Sequence, residues 1–300
     1  MRKKTSRSLK FQQSPRIAIV YRLATPAAVN LAHALTEWLS DRGFQVYTAP
    51  EQKKLAGTTL LRSANDLKKV GLVVVLGGDG TYLRAVRLLQ GLPIPILGVN
   101  LGSLGFLTPT RADEAFAAVE HALQNKMELV PRAMLEVEFF RKGKKVKSTL
   151  ALNDVVIERG TQSQLINIAI HSDRFLVSEV KADGILVASP TGSTAYNLAA
   201  GGPLLHPDVR ALVVTPIAPH SLTSRPLIMP DDRDLRFQIV GSPSVDECGR
   251  LVLDGQVISD VLCDDEVVVR RSAQDHWMVR EPGHNEFLLM REKLKFGDRA

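Results

Sequence analysis

Two cysteines occur in the 300 residues, Cys248 and Cys263, and neither stands at zinc-like spacing from histidines. Reduced thiols in a cytoplasmic protein are the simplest account of such usage. No stretch reaches the about 18 consecutive apolar residues expected of a membrane-spanning helix. The basic start MRKKTSRSLK is followed by no apolar signal-peptide region, so residues 1–14 read as a flexible segment. Internal repeats and low-complexity core segments are missing too. The charge excess is slight, a formal +6 that lies partly in the first ten residues. It fits an anionic small ligand and is too small to indicate DNA or RNA, so no nucleic-acid or membrane partner is expected.

Some well-known signatures are also missing. No Gly-x-Gly-x-x-Gly turn marks a dinucleotide fold, no lysine followed by Ser or Thr completes a Walker A loop, and no Gly-x-Ser-x-Gly elbow presents Ser193 as a hydrolase nucleophile. What the chain does have is a hydrophobic content of 45%, enough for a substantial core in one or two domains.

The most informative stretch is Val73-Val74-Val75-Leu76-Gly77-Gly78-Asp79-Gly80-Thr81. Its apolar, mostly β-branched run predicts a buried strand that the glycines end abruptly. Leu83, Val86 and Arg87 then recur at helical spacing, with Thr81 as a candidate N-cap. In such a strand–turn–helix, Gly77, Gly78 and Gly80 let backbone N–H groups approach a phosphate. Asp79 is the anomaly, because a carboxylate repels phosphate unless it binds a cation or takes a proton. The alternative is a plain turn in which Asp79 caps the helix.

Around this turn, residues 16–20, 44–47, 72–76 and 94–99 read as strands and 26–40 as a helix closed by Gly43. The alternation predicts an α/β domain over 15–129 with a largely parallel, Rossmann-like sheet, its ligands beyond the carboxyl ends of the strands. The next strand ends in Asn100-Leu101-Gly102-Ser103-Leu104-Gly105-Phe106, a tight loop whose Phe106 is either an apolar wall for a flat ring or a core plug. Thr110 and Asp113 resemble a capped start for a helix carrying Phe116, Val119 and Leu123.

From about residue 130 the pattern changes to alternation, with an exposed hairpin turn at Arg141-Lys142-Gly143-Lys144-Lys145. Strand candidates at 151–158, 164–170, 175–180, 185–188, 211–215, 235–240, 250–253 and 266–270 define a β-rich domain over 130–275. Residues 285–295 read as a terminal helix. Three polar clusters fall inside this domain. Asn153-Asp154 is either a polar turn or a pair for ribose hydroxyls or an adenine edge. Asp183-Gly184 and Pro190-Thr191-Gly192-Ser193-Thr194-Ala195-Tyr196 bracket a short apolar strand, with Ser193 or Thr194 as candidate caps for a helix through Tyr196, Leu198 and Ala199. Asp254-Gly255-Gln256 is either a hairpin turn or a polar loop facing ligand.

Taken together these motifs closely resemble the NAD kinase family over nearly the whole chain after the basic start. Gly77-Gly78-Asp79-Gly80 is similar to the family's phosphate loop, a motif shared with diacylglycerol and sphingosine kinases. Asn153-Asp154 with the 190–196 segment is far more specific. The resemblance implies an N-terminal α/β domain, a C-terminal β-rich domain and a tail, 276–300, that returns to the first. It implies a homodimer or homotetramer that phosphorylates the adenosine-ribose 2′-hydroxyl of NAD, with ATP or polyphosphate as donor and a divalent cation, magnesium or manganese. Thr81 resembles members that accept both donors.

By resemblance Asp79 is the general base, and Gly77, Gly78, Gly80 and Thr81 hold phosphate. Asn153 and Asp154 hold the adenosine part, with Phe106 near the adenine. Asp183, Thr191, Ser193, Thr194, Ala195, Tyr196, Asp254 and Gln256 line the remaining dinucleotide pocket. Asp154 stands where glutamate is common and has a shorter reach. Ala188 replaces a hydroxyl residue. A lipid kinase is the alternative enzyme, and it would need an apolar groove and no dinucleotide pocket. A non-enzymatic NAD-binding regulator is the other class, separable by whether NAD, ATP and magnesium yield NADP.

Overall fold

Leu72 to Leu76 have no solvent exposure at all, because their strand, Val70–Leu76, lies between parallel neighbours on both edges. In a computed structural model describing residues 7–11, 14–160, 164–240 and 249–295, the chain divides into two compact units. The first comprises residues 1–131 and 276–300, the second 132–275.

The six central strands of the first unit's sheet are parallel, and only the short pair of Arg7–Ser8 with Glu128 and Leu129 is antiparallel among its described strands. The spatial order of the six is Thr59–Leu60, Val46–Thr48, Arg16–Tyr21, Val70–Leu76, Ile96–Asn100 and finally Met278 with Val279. Chain order therefore reverses between Arg16–Tyr21 and Val70–Leu76, and the crevice at the carboxyl ends of such a switch point is where α/β sheets take ligands. The glycine loop begins there, with the Arg22 N–H donating to Leu76 O at 2.8 Å. Helices Pro26–Asp41 and Ala115–Leu123 cover one face through Ala28, Ala32, Leu35, Leu39, Ala115 and Val119, in one core with Ile17, Ile19, Val74 and Leu97. Burying each such aliphatic side chain contributes about 1.5–3 kcal/mol, which is why continuous apolar runs become central strands.

The second unit pairs two sheets. One is six-stranded and antiparallel, ordered Leu227–Pro230, Ala211–Ile217, Gly184–Ala188, Asp154–Arg159, Gly249–Leu253, Gln256–Val261. The other includes Phe175–Ala182, Ile166–Ser172, Leu235–Val240 and the first residues of Glu266–Arg280. Alternate residues of both, among them Val155, Ile157, Val187, Leu253, Ile168, Phe237 and Val269, form a single core. On the far face of the six-stranded sheet, Val156, Leu186 and Val213 pack against Leu205, so the 189–205 segment covers that face.

Several expectations change. Residues 1–6 of the basic start lie outside the described residues, as does Cys248. The flexible start does not extend over 7–11: Arg7–Ser8 pairs with Glu128 and Leu129, and Leu9 is buried with its N–H on Met127 O. Helix Asp79–Leu89 starts two residues before Thr81, with Gly78 as its N-cap. Thr110 pairs with Val99 as a short strand, and the helical turn after it starts at Ala112. Strand Lys144–Ala151 escaped the alternation pattern because five of its first residues are exposed and polar or isolated. It closes a hairpin with Glu128–Arg141 through Lys142 and Gly143, both at positive φ as a primed two-residue turn needs.

Candidate active site

Asp79 is the first residue of helix Asp79–Leu89, so its side chain leaves the end of a buried strand by way of a turn with no bulk of its own. Its carboxylate does not cap its own helix. Oδ2 accepts the Phe106 N–H at 2.9 Å, and Oδ1 accepts the Leu107 N–H and the Thr108 hydroxyl, both at 3.0 Å. Gly105 makes this grip possible, since a Cβ there would collide with the Asp79 carboxylate and the Thr108 hydroxyl. Thr108 has no exposure and also accepts the Asn100 amide N–H at 2.9 Å. In the first turn the Thr81 N–H bonds the Gly78 carbonyl at 2.9 Å, while the N–H groups of Asp79 and Gly80 precede the first intrahelical acceptor and lie where Gly78 and Gly80 leave space clear. Thr81 is buried and stands behind Gly77 instead of capping the helix.

Phe106 is half-buried, so it is not a core plug. The Arg280 guanidinium donates to its carbonyl at 3.3 Å and pairs with Glu286, while the Lys293 ammonium lies 5.1 Å from its ring centroid. The final helix Glu286–Leu294 thereby helps fix the loop that holds Asp79. Tyr82, next to the loop, is buried with its hydroxyl 2.8 Å from His276 Nε2.

In the second unit, strand Asp154–Arg159 is preceded by a turn whose backbone is captured by the hairpin tip at Asp254. Its carboxylate accepts the N–H groups of Leu152, Asn153 and Asp154 at 2.9, 2.8 and 3.2 Å. The tip is a two-residue turn with φ +46 at Asp254 and +75 at Gly255. Asp254 is thus fully engaged with backbone, and Gln256 is exposed at the start of the return strand. The hairpin-turn reading of this cluster holds, and the carboxylate does more than close the turn.

Asn153 and Thr191 are 7% and 8% exposed, yet Asn153 Oδ1 and Thr191 Oγ1 have no hydrogen-bond partner among the described residues. The two segments abut, because a Cβ on Gly192 would collide with the backbone of Asn153. Buried orphan polar atoms cost free energy unless something else satisfies them, so two of them on adjoining segments make a candidate binding surface. Asp154 is buried beside them with its pKa raised to about 7, first by burial and then by the charge of Asp254, against the Tyr196 N–H bond that lowers it. Tyr196 is 42% exposed, and its phenol is pushed upward by burial and by the charges of Glu158, Asp154 and Asp183.

Other expected ligands also make bonds within the protein. Ser193 has no exposure: its hydroxyl donates to Pro190 O at 2.8 Å and accepts the Leu205 N–H at 3.0 Å, tying together the two ends of the segment that covers the sheet face. It caps nothing. Residues 191–194 form a 3-10 turn, and the following helix is only Tyr196–Ala199, with Ala195 before it. The Thr194 hydroxyl lies on Thr191 O at 3.2 Å. Asp183 is ion-paired with Arg159 at 2.7 Å and keeps partial exposure. Local patterns did not single out Ser189, whose hydroxyl bonds Leu152 O and the Gly192 N–H, or Asn197, which bonds Thr215, Ser193 and Pro203.

Comparison with known proteins gives a consistent result. Residues 17–127 match the family model of the ATP-NAD kinase N-terminal domain and residues 152–281 that of the C-terminal domain. A NAD kinase of Bdellovibrio bacteriovorus is 56% identical over 291 residues, covering 97% of this chain and 95% of that one. A NAD kinase of Geobacter sp. strain M21 is 40% identical over 288 residues, with coverages of 95% and 99%. Among solved structures, yeast NADH kinase complexed with NADH superposes with a TM-score of 0.90 at 26% identity, covering 98% of this chain and 91% of that one. A NAD kinase from Archaeoglobus fulgidus in complex with ATP has the same fold, with a TM-score of 0.70 at 24% identity and coverages of 94% and 97%.

Proposed function

The chain belongs to the NAD kinase family and is an enzyme that phosphorylates NAD, and from that premise we propose how its residues divide the reaction. The first unit supplies Asp79 and the glycine loop; the second supplies most recognition of NAD. ATP is the donor, with its phosphates on the backbone donors of residues 78–80, because the Gly77 and Thr81 N–H groups are held by Val99 O and Gly78 O. Asp79 takes the proton of the ribose 2′-hydroxyl as the new P–O bond forms. Asn153 and Asp154 hold the adenosine part, Phe106 lies against the adenine, and Asp183, Thr191, Ala195 and Tyr196 complete the pocket. Ser193 and Asp254 shape that pocket from behind.

The observation that carries this reading is the pair of unpartnered buried atoms, Asn153 Oδ1 and Thr191 Oγ1, on adjoining segments. Polar ligands with donors, such as ribose hydroxyls and an adenine amino group, satisfy both.

Magnesium is the cation we assign. Among the described residues no three His, Cys, Asp or Glu side chains cluster as a metal cage. That fits an ion carried mainly by donor phosphates and water, with Asp79 as the nearest loop carboxylate. When bound, it neutralises charge on the transferred group. Inorganic polyphosphate is a second donor, on the strength of Thr81 after the loop. The protein works as a homodimer or homotetramer in the cytoplasm; no described helix is long and apolar enough to cross a membrane.

Incubating the protein with NAD and magnesium plus either ATP or nucleotide-free polyphosphate tests the donor assignment. NADP should form with both. An ATP-active preparation that makes none from polyphosphate removes the second donor.

A further inference from the structure

The donors on Asp79 are shared unequally between its two oxygens. Among the described residues, Oδ1 receives both the Leu107 N–H and the Thr108 hydroxyl, whereas Oδ2 receives the Phe106 N–H alone. Each carboxylate oxygen offers about two lone-pair positions. Oδ1 is therefore filled, and Oδ2 keeps one position open.

The direction of the Thr108 bond is fixed by its other partner. The Asn100 amide nitrogen only donates, so the Thr108 oxygen accepts from it at 2.9 Å and must send its own proton to Asp79. Asn100 is oriented in turn, because its Oδ1 accepts the Gly102 N–H at 2.7 Å. Both Asn100 and Thr108 are buried, so water does not compete for these bonds.

We infer that Thr108 is a positioning residue for phosphoryl transfer: it saturates Oδ1 and holds the carboxylate plane so that Oδ2 presents the single open acceptor site to the ribose hydroxyl. The inference rests on the reading of Asp79 as general base. In the step itself the 2′-oxygen forms a bond to the γ-phosphorus of ATP while the bond from that phosphorus to the β,γ-bridging oxygen breaks. The hydroxyl proton passes to Oδ2, and ADP leaves with the bridging electron pair. Without Thr108 the Phe106 and Leu107 N–H groups still hold one oxygen each, but Oδ1 gains an open position of its own and the carboxylate no longer offers a single acceptor direction. Substrate binding is left intact, because Thr108 itself has no exposed surface to offer.

Steady-state kinetics of the full-length Thr108→Val, Thr108→Ser and Asp79→Asn proteins with NAD and magnesium–ATP test this, together with NAD affinity by calorimetry. Thr108→Val should lower kcat roughly 10–100-fold, the worth of one hydrogen bond to a charged group, with the KM for NAD within about twofold. Thr108→Ser, which restores the hydroxyl, should return kcat to within about threefold of the parent. If the valine protein does not fold, Thr108→Ala carries the same expectation. A folded Val or Ala variant with parental kcat, alongside an inactive Asp79→Asn, overturns the positioning role and leaves the base assignment standing. An active Asp79→Asn overturns the base assignment and this inference with it.

Discussion

Asp254 and Asn153 lie 101 residues apart in the chain and meet through one hydrogen bond, the Asn153 N–H donating to Asp254 Oδ1 at 2.8 Å. The same carboxylate holds the N–H groups on either side. Asp254→Ala leaves three buried donors unpaired, and since each costs about 1–3 kcal/mol before any relaxation, stability should fall by about 2–4 kcal/mol. Urea unfolding measures that loss. NAD affinity should drop with it, because the orientation of Asn153 goes too. An alanine variant as stable as the parent would show that the clamp contributes nothing.

Thr191→Val separates binding from folding in the opposite sense. The hydroxyl it removes is buried and unpartnered, so the free protein should be as stable as the parent or slightly more so. NAD affinity should fall about fivefold to tenfold, the worth of one neutral hydrogen bond. Thermal midpoints without ligand and calorimetric titration with NAD check the two halves. Unchanged affinity would take Thr191 out of the pocket.

The raised pKa of Asp154 predicts a pH dependence of stability with a definite sign. Its folded value is about 7 against an ordinary 3.8, so between those limits the native state binds more protons than the unfolded one. Stability of the ligand-free protein therefore contains a contribution present in full below about pH 4 and lost as the pH rises through 7. Asp154→Asn should remove that decline. Denaturation midpoints of both proteins at pH 5 and pH 8 give the comparison, and a parallel decline in the two would assign the pH effect to other groups.

Asp79→Asn puts an amide where three donors converge. Turnover should fall roughly 10²–10⁴-fold through loss of the proton acceptor. Because one oxygen becomes an NH₂ facing an N–H or O–H donor, stability should also drop by about 1–2 kcal/mol. A simple helix cap would tolerate asparagine with neither effect. Turnover, NAD affinity and thermal stability on one preparation distinguish these outcomes.

How much of this was legible in the sequence depends on how local the cause is. The strands at Arg16–Tyr21, Val70–Leu76 and Ile96–Asn100 declare themselves through unbroken apolar runs, because parallel strands are buried on both faces. The α/β and β-rich classes follow from the change in period near residue 130. The cap assignments at Thr81 and Ser193 fail for a shared reason. Both hydroxyls lie near helical turns, but tertiary contacts decide where the turns begin, and Ser193 is claimed by Leu205 and Pro190. No local pattern shows that Asp254 reaches residues 152–154, or that Thr108 reaches Asp79. In both pairs the partner is remote in sequence, and only the folded backbone brings the donors together.

The discontinuity of the first unit has a bearing on how the chain is made. Its sheet takes Met278 and Val279 beside Ile96 and Leu97, and Tyr82 waits for His276, a partner 194 residues downstream. Domains generally fold in the order in which they leave the ribosome. Here that order is reversed: residues 132–275 are contiguous and can complete their own core, whereas the unit begun first must stand open until the residues from His276 onward emerge. The loop that holds Asp79, anchored to Arg280 and Lys293, then takes its final form only after residues 132–275 have emerged, so no nascent chain holds Asp79 in this way before Lys293 has been made.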